Sequence, residues 1–307
     1  MNDQSSHQRI VVTGSSGLIG KPLVAALRTA GHPVTCLVRS NPGPDRALWD
    51  PATGTIDASA IEGAWAVVHL AGEGIAESKW TPEQKDRILT SRVLGTRLLS
   101  ETIAGLTNKP SVLASGSAIG IYGDRGDETL DESSSKGSGY LVDVVEQWEA
   151  STKTASDAGI RVAHLRTGIV LSTKGGALKQ QLLPFKLGIG GRLGSGKQFL
   201  PWISITDHLA AVRHVLETAS LHGPVNLAGP NPVTNQQFTK ALGGALKRPT
   251  LIPIPLLPLN VRYSKEMVKE VLLSSSRVLP TKLLSSGFVF THTDLLLTLR
   301  YLLDSHV

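Results

Sequence analysis

The sequence predicts an α/β protein, built on a doubly wound parallel sheet with a smaller, interleaved C-terminal lobe. Over the first half of the chain, short apolar runs rich in β-branched residues alternate with segments of helical periodicity. This alternation is typical of a parallel sheet covered by helices on both faces. A glycine-rich turn joins the first apolar run to the first helical segment. After residue 168, glycines and then prolines interrupt shorter apolar segments, which indicates a second structural unit.

The predicted strands of the first half are apolar runs bounded by turn residues, and they lie at residues 9–13, 34–38, 65–70, 112–115 and 161–166. The predicted helices between them lie at residues 18–30, 82–104 and 141–158. A helix at 206–219 and a strand at 224–227 continue the alternation. We therefore predict a Rossmann-type nucleotide-binding domain from residues 1–168, to which 204–229 return, and a substrate lobe from 169–203 and 230–307.

The composition limits the kinds of protein that this chain can be. The 307 residues are 41% hydrophobic and carry a net charge of +6, and no apolar run reaches the ~20 residues that a membrane-spanning helix needs. The lone cysteine, Cys36, excludes an intrachain disulfide and any multi-cysteine metal site. The basic residues are scattered, without a nucleic-acid-binding motif. We expect a cytoplasmic protein that binds a small molecule, with no metal, no nucleic acid and no membrane partner.

Three glycines follow the first predicted strand in the pattern G-x-x-G-x-x-G, as Gly14, Gly17 and Gly20. In a strand–turn–helix context, the first allows a tight turn, the second lets the backbone approach a pyrophosphate, and the third lets helix and strand pack closely. The start of the helix offers unpaired N–H groups and a partial positive charge to the phosphates. The turn therefore predicts dinucleotide binding, and three further residues of the loop are expected at the cofactor: Ser16, Leu18 and Ile19.

The end of the second predicted strand indicates which dinucleotide is bound. Sites selective for NAD place an Asp or Glu there to bind the ribose hydroxyls, whereas this chain has Arg39 and Ser40. A guanidinium can bind a 2′-phosphate through two parallel hydrogen bonds, and a carboxylate would repel it. We predict NADP(H) as the cofactor, the alternative being that Arg39 is a solvated arginine at a strand end.

Longer motifs follow one another along almost the whole chain. They are VTGSSGLIG at 12–20, HLAGEGI at 69–75, SRVLGT at 91–96, SGSAIGIYG at 115–123, QWEA at 147–150, LLPFKLGIGGRLGSGKQFLPWI at 182–203 and GFVF at 287–290. With these motifs the chain resembles the extended short-chain dehydrogenase/reductases. More narrowly, it resembles their atypical subgroup of epimerase family proteins, which are NAD-dependent epimerase/dehydratase-like and include plant relatives linked to plastid division. The wider family often forms a homodimer through its long helices, so the resemblance is consistent with a homodimer here.

The resemblance also implies roles for residues that follow the later strands of the sheet. One group would lie along the adenosine and ribose of the cofactor: Leu70, Ala71 and Gly72. A second group would lie near the nicotinamide: Ser115, Arg166, Thr167 and Gly168. In the lobe, three residues would border a substrate: Arg192, Lys197 and Trp202. The residues themselves equally allow two solvated cations and a tryptophan that only packs.

Members of the family use a serine together with a tyrosine and, four residues later, a lysine. The lysine and the cofactor ribose lower the tyrosine pKa, so that the phenol exchanges a proton with the substrate oxygen. Ser117 matches the serine position. In one register of the helix that should carry the pair, Leu141 and Val145 occupy the two positions, and in the other Tyr140 is followed by Val144. Neither register provides an ammonium group.

Three mechanisms stay open from the sequence. Tyr140 or Tyr122 could act as the acid without a lysine; Glu73, or Ser117 with a water, could move the proton instead; or no hydride transfer to a carbonyl occurs. The first two correspond to an NADP(H)-dependent oxidoreductase or epimerase-like enzyme with a carbonyl-containing or nucleotide-linked substrate. The third corresponds to a catalytically weak or inactive regulatory or scaffold protein that binds NADPH as a ligand.

Overall fold

The computed structural model describes residues 8–76 and 78–305. Its strands are β1 (Ile10–Thr13), β2 (Val34–Val38), β3 (Arg46–Asp50), β4 (Thr55–Ile56), β5 (Ala66–His69), β6 (Val112–Ala118), β7 (Thr129–Leu130), β8 (Arg161–Thr167), β9 (Ile169–Leu171), β10 (Phe199–Leu200), β11 (Trp202–Ser204), β12 (Gly223–Leu227), β13 (Val233–Thr234) and β14 (Arg277–Val278).

The helices are α1 (Gly20–Thr29), α2 (Pro82–Gly105), α3 (Tyr140–Ala150), α4 (Lys153–Asp157), α5 (Gly176–Lys186), α6 (Ile205–Glu217), α7 (Asn235–Leu246), α8 (Leu256–Arg262), α9 (Lys265–Met267), α10 (Thr281–Ser285) and α11 (Leu295–Ser305). Two 3₁₀ turns lie at Ala58–Ala60 and Ile119–Tyr122, and a π-helical turn lies at Val268–Leu273. None of the helices in the described part of the chain has the length and apolar character needed to cross a membrane.

The main sheet has the strand order β12-β8-β6-β5-β1-β2-β3-β4. Neighbouring strands are parallel except at one edge, where β4 pairs antiparallel with β3. The chain passes from β1 outward to β2 and later returns to β5 on the other side of β1. The sheet is therefore doubly wound, and the predicted α/β class is confirmed.

Two apolar clusters bury the two faces of the sheet. On one face, Ile10 and Val12 of β1 pack with the buried side of α1 and α6. On the other face, Val11 packs with α2 and α4. The alternation of residues 10, 11 and 12 between the clusters follows from the two-residue period of a strand. Because both faces are covered, β1 is apolar from Ile10 to Val12, as parallel strands in such sheets usually are.

The C-terminal segments add short strand pairs beside the main sheet. β9 pairs in parallel with β11, β10 pairs antiparallel with β13, and β14 pairs in parallel with β7. Helices α5, α7 and α11 pack with these segments in a third apolar cluster, around Trp202 and Phe238. Strand β12, which lies between the lobe segments in sequence, pairs with β8 and extends the main sheet.

The structure differs from the sequence-based expectation at residues 141–158. A single helix was predicted there, but the chain forms α3 and then α4. The hydroxyl of Ser151 donates to the carbonyl of Gln147 (2.7 Å), and that of Thr152 donates to the carbonyl of Glu149 (2.7 Å). Side-chain bonds of this kind compete with the backbone ladder of a helix, and they accompany the break. Strands β3 and β4 were not predicted.

Candidate functional site

A cleft of about 1180 Å³ opens at the carboxyl ends of β1, β2 and β5. The strand order reverses between β1 and β5, and open α/β sheets bind ligands at such a switch point. Eight of the predicted cofactor residues line the cleft: Gly14, Ser16, Gly17, Arg39, Ser40, Leu70, Ala71 and Gly72. These eight residues, predicted from three separate stretches of sequence, therefore lie around one cleft.

The glycines at the base of the cleft stand where larger residues would collide with backbone atoms. Gly14 has φ +68°, and a Cβ there would lie 2.8 Å from the amide nitrogen of Ala71. A Cβ on Gly20 would lie 2.1 Å from the carbonyl oxygen of Gly14, whereas one on Gly17 would lie 3.3 Å from the same oxygen. Helix α1 can therefore begin directly against the end of β1 only because residue 20 lacks a side chain.

The N-terminus of α1 has no side chain that caps its first N–H groups, although the N–H of Lys21 donates to the carbonyl of Gly17 (3.1 Å). Its N-cap residue, Ile19, forms no side-chain capping bond, and the first turn contains no acidic residue. Unpaired N–H groups and the helix dipole make such an end suitable for an anion. The predicted cofactor residues Leu18 and Ile19 have side chains that point elsewhere, because Leu18 approaches Gly175 and Ile19 packs against the lobe core.

A buried histidine connects β1 to the turn after β5. The hydroxyl oxygen of Thr13 accepts hydrogen bonds from the N–H groups of Leu70 (3.1 Å) and Ala71 (3.2 Å) and lies 2.7 Å from Nδ1 of His69. Nε2 of His69 lies 3.0 Å from the hydroxyl of Thr96. Burial lowers the pKa of His69 to about 4. This histidine is therefore neutral at pH 7 and holds the edge of the cleft in shape.

Arg39 lies exposed at the end of β2, on the rim of the cleft. Among the residues the structure describes, it forms no salt bridge. Five cations line the cleft: Lys21, Arg28, Arg39, Arg46 and Arg87. Three carboxylates accompany them: Asp45, Asp50 and Glu73. Asp45 pairs with Arg28 (3.2 Å) and not with Arg39.

The polar residues at the ends of β6 and β8 form a buried network. The hydroxyl of Ser117 donates to Oε1 of Glu149 (2.5 Å), and Arg166 donates to both oxygens of the same carboxylate (2.8 and 2.9 Å). Burial alone would raise the pKa of Glu149, but the bonds from Arg166 and Ser117 and the nearby positive charges outweigh it and lower that pKa. The guanidinium of Arg166 therefore holds an ionised carboxylate.

Tyr122, predicted as a candidate acid, belongs to the same network. Its side chain is 0% exposed, its hydroxyl donates to Oδ1 of Asn226 (2.8 Å), and it accepts a hydrogen bond from Arg166 (3.1 Å). Burial raises the pKa of the phenol, against the smaller effect of Arg166. The 3₁₀ turn directs this side chain inward, so the structure places Tyr122 in the core and not at a substrate-facing position.

The other residues predicted near a nicotinamide lie in or directly after β6 and β8. Ser115 is fully buried, and the hydroxyl of Thr167 donates to the carbonyl of Leu165 (3.1 Å). A Cβ on Gly168 would lie 2.4 Å from the carbonyl oxygen of Pro201. Gly168 therefore allows the close approach of the chain before β11.

Helix α3 carries Tyr140 at its first position, and the surroundings of this phenol oppose its ionisation. The hydroxyl donates to the carbonyl of Lys85 (2.7 Å), and the ring meets Trp80 edge-on at 5.0 Å. Burial raises the pKa of Tyr140 to about 12, although the charge of Arg92 acts in the opposite direction. Leu141 occupies the alternative position on the helix. Its Cβ lies 3.4 Å from the place that a Cβ on Gly120 would occupy.

The N-terminus of α3 is held by the lobe. Its N-cap residue is Gly139, which has no side chain to cap the helix. The N–H groups of Tyr140 and Leu141 donate instead to the two carboxylate oxygens of Glu270 (3.0 and 2.9 Å). Glu270 lies in the π-helical turn, 130 residues further along the chain. A carboxylate at this end of a helix also matches the helix dipole.

Arg92 of α2 lies beside Gly72, a predicted cofactor residue, and the reasoning from the sequence did not single it out. Its guanidinium carbon lies 5.0 Å from the ring centroid of Trp148, and atoms of its side chain lie 3.4 Å from where a Cβ on Gly72 would be. It donates to the carbonyl of Ile88 (3.0 Å). Burial lowers its pKa to about 10, while the charges of Tyr140 and Glu73 raise it. The SRVLGT motif contains this arginine and is the feature of the sequence that could have drawn attention to it.

The three residues predicted to border a substrate have different surroundings. Arg192 donates to the carbonyl of Gly194 in its own loop, and Lys197 is exposed. Trp202 is 1% exposed, and its indole N–H donates to the carbonyl of Asn231 (3.0 Å). Because β11 pairs with β9, this side chain enters the lobe core, so Trp202 packs and does not form a pocket wall. Within residues 8–76 and 78–305, no group of three His, Cys, Asp or Glu side chains is placed to hold a metal ion.

Proteins of known sequence support the resemblance of the motifs. An epimerase family protein of Mycobacterium bovis is 40% identical over 287 residues, which cover 93% of this chain and 94% of that protein. The crystal structure of the human epimerase family protein SDR39U1 (isoform 2) with NADPH is 32% identical, with a TM-score of 0.87. The match covers 96% of this chain and 99% of the human chain.

A further solved structure and two family profiles complete the comparison. A nucleoside-diphosphate sugar epimerase from Corynebacterium glutamicum is 36% identical, with a TM-score of 0.81, over 97% of this chain and 59% of that one. A domain of unknown function (DUF1731) matches residues 254–302. The profile described as the NAD dependent epimerase/dehydratase family matches residues 10–228. The expected family is confirmed: the chain belongs to the NAD dependent epimerase/dehydratase family.

Proposed function

We propose that the protein is an NADP(H)-dependent oxidoreductase or epimerase-like enzyme that binds its cofactor in the cleft at the end of β1. The observation that carries the proposal is the combination of an α1 N-terminus without a side-chain cap and, on the same cleft, an Arg39 that forms no salt bridge with a described residue. The human relative, SDR39U1, was crystallised with NADPH. This relative supports the choice of the phosphorylated dinucleotide.

The residues of the cleft fit such a cofactor. The N–H groups at the start of α1 would bind the pyrophosphate, and the absence of a side chain on Gly17 leaves the backbone accessible. Arg39 would bind the 2′-phosphate with two hydrogen bonds. Leu70 and Ala71, fixed by Thr13, would border the adenosine and its ribose. When bound, the cofactor would supply or accept a hydride.

Replacing Arg39 with alanine tests the cofactor assignment. We expect NADPH affinity to fall about ten- to hundredfold, because a charge-assisted pair of hydrogen bonds is lost. NADH lacks the 2′-phosphate, so its affinity should change by less than about threefold, and it serves as the matched control ligand. Titration followed by cofactor fluorescence measures both. Equal affinity of the unchanged protein for NADPH and NADH would contradict the assignment.

At the catalytic end, the described side chains favour Arg92 over the tyrosines. The Ser117 hydroxyl donates to Glu149, and the phenols of Tyr122 and Tyr140 have raised pKa values and donate to other groups. Arg92 carries a charge that is half-buried and has no salt-bridge partner in the described part of the chain. We propose that its guanidinium donates hydrogen bonds to a substrate oxygen on which negative charge develops, with the proton supplied by water.

Turnover of carbonyl compounds by purified protein tests this assignment. Oxidation of NADPH would be followed with a panel that includes nucleoside-diphosphate sugars and simple ketones. For a compound that is turned over, Arg92→Met should lower kcat about 100- to 1000-fold, the range for loss of one oxyanion donor, with NADPH affinity unchanged. Arg97→Met, on an exposed position of the same helix, is the matched control. An unchanged kcat in the Arg92 variant would refute its role.

A second candidate function is that of a regulatory or scaffold protein that binds NADPH as a ligand. The raised pKa of Tyr140 and the apolar Leu141 and Val145 favour it. Tight NADPH binding that depends on Arg39, with no oxidation of NADPH across the whole panel, would support this second function over the first.

A further inference from the structure

Two long stretches of the chain contain no acidic residue. No Asp or Glu occurs between Asp157 and Asp207 or between Glu217 and Glu266, although the chain contains 25 in total. Both stretches contribute to the C-terminal lobe. Four exposed cations of these stretches lie next to apolar segments of the lobe: Lys186, Lys247, Arg248 and Arg262. None of them forms a salt bridge with a residue the structure describes.

The same stretches expose large aliphatic side chains. They are Leu187, Ile189, Leu251, Ile252, Leu257 and Val261, with exposed fractions from 64% for Ile189 to 90% for Leu251. Helix α8 has the sequence LLPLNVR, yet none of its residues is buried. Monomeric proteins rarely leave a large contiguous apolar patch uncovered unless it binds something.

The chain segments that carry these residues lie side by side. The N–H of Ile254 donates to the carbonyl of Arg192 (2.9 Å), and a Cβ on Gly191 would lie 1.8 Å from the carbonyl oxygen of Ile252. A Cβ on Gly188 would lie 4.0 Å from the ring of Pro249. Residues 188–192 and 249–254 are therefore neighbours, and α8 follows the second segment directly in the chain. We call the six aliphatic side chains and four cations on and beside these segments the basic apolar face.

The positive charge and the aliphatic side chains of this face together favour one of three kinds of partner. A second copy of the chain bound through the same face would bring these cations against one another, because a twofold interface pairs a surface with itself. A small anionic ligand would be bound by the cations but would leave the aliphatic side chains in water. A bilayer with anionic headgroups satisfies both, since aliphatic side chains enter the interface and lysines and arginines contact the phosphates.

We propose that the basic apolar face docks the protein onto the surface of a membrane rich in anionic phospholipid. The sequence predicts no membrane partner on the ground that no segment is long enough to span a bilayer. Surface docking does not need a spanning segment, because it uses only the exposed side chains of α8 and of the loops beside it.

Vesicle flotation of the purified full-length protein tests the proposal. Phosphatidylserine-containing vesicles should bind the protein at least tenfold more tightly than pure phosphatidylcholine vesicles, and added salt should weaken the binding. The double variants Lys247→Glu with Arg248→Glu, and Leu257→Ser with Val261→Ser, should each lower the affinity about tenfold or more. All four residues are exposed and lie outside the cleft, so unchanged NADPH affinity shows that the variants are folded.

The matched controls change an exposed residue away from the face. Arg97→Glu on α2 and Leu297→Ser on α11 should leave vesicle affinity within about twofold. Equal binding to the two kinds of vesicle, or none to either, would overturn the proposal. So would a dimer, measured by light scattering, that the Leu257→Ser, Val261→Ser variant abolishes, because a second copy would then be the occupant.

Discussion

Replacing Arg166 with methionine should lower the free energy of unfolding by about 3–5 kcal/mol, the usual cost of removing one partner from a buried ion pair. The side chains of Arg166 and Glu149 are 10% and 13% exposed, so water cannot replace the lost partner. Without the guanidinium, the carboxylate of Glu149 keeps only the Ser117 hydroxyl and the more distant His164, whose Nδ1 lies 3.8 Å away. Urea unfolding at pH 7 measures the loss.

Two further variants distinguish the loss of the buried Arg166–Glu149 ion pair from other effects of removing an arginine. Adding Glu149→Gln to Arg166→Met removes the unpaired charge, so the double variant should be more stable than the sum of the two single changes predicts. Arg28→Met removes an exposed pair with Asp45 and should cost no more than about 1 kcal/mol. A cost below about 1 kcal/mol for Arg166→Met would show that the network is dispensable for the fold.

Replacing Gly20 with alanine should abolish NADPH binding, with a loss of more than about 100-fold, and should destabilise the protein by about 1–3 kcal/mol or more. The added methyl group would lie 2.1 Å from the carbonyl oxygen of Gly14. Since that oxygen is a backbone atom, α1 must move away from β1 to relieve the contact. The N–H groups at the start of α1 would then leave the position where they bind phosphates.

Alanine at two other glycines provides controls, because the added methyl group would meet a weaker steric conflict at Gly17 and none at Gly105. Gly17→Ala brings its Cβ only to 3.3 Å from the same oxygen and should affect NADPH binding more than stability. Gly105→Ala, at the end of α2, meets no atom within 4 Å and should leave stability unchanged or raise it by about 0.5–1 kcal/mol. If Gly20→Ala binds NADPH as tightly as the unchanged protein, the close packing of α1 on β1 is not required for the site.

The features that could be predicted from the sequence depend on short stretches of chain. Strand, glycine turn and helix are contiguous from residues 10–29, so local pattern was sufficient to place Gly14 and Gly17 on the cleft and Gly20 at the start of α1. Arg39 needed only the end of the next strand. Residues 46–56 were missed because β3 and β4 are an edge pair of short strands with charged residues at both ends of β3, which resembles a loop in sequence.

The features that could not be predicted depend on contacts between distant segments. The position of Arg92 beside Gly72 and Trp148 follows from the packing of α2 against β5 and α3, and sequence spacing does not encode it. Tyr122 was a reasonable candidate acid in the motif SGSAIGIYG. Only the structure shows that its hydroxyl meets Asn226, a residue 104 positions further along the chain.

The carboxylate of Glu270 determines how motion in one part of the molecule reaches another. Two charge-assisted hydrogen bonds join this residue to the first N–H groups of α3, a helix of eleven residues that packs on the 3₁₀ turn at Ile119–Tyr122 through Leu141. A rotation of the π-helical turn must therefore carry Tyr140 and Leu141 with it or break both bonds.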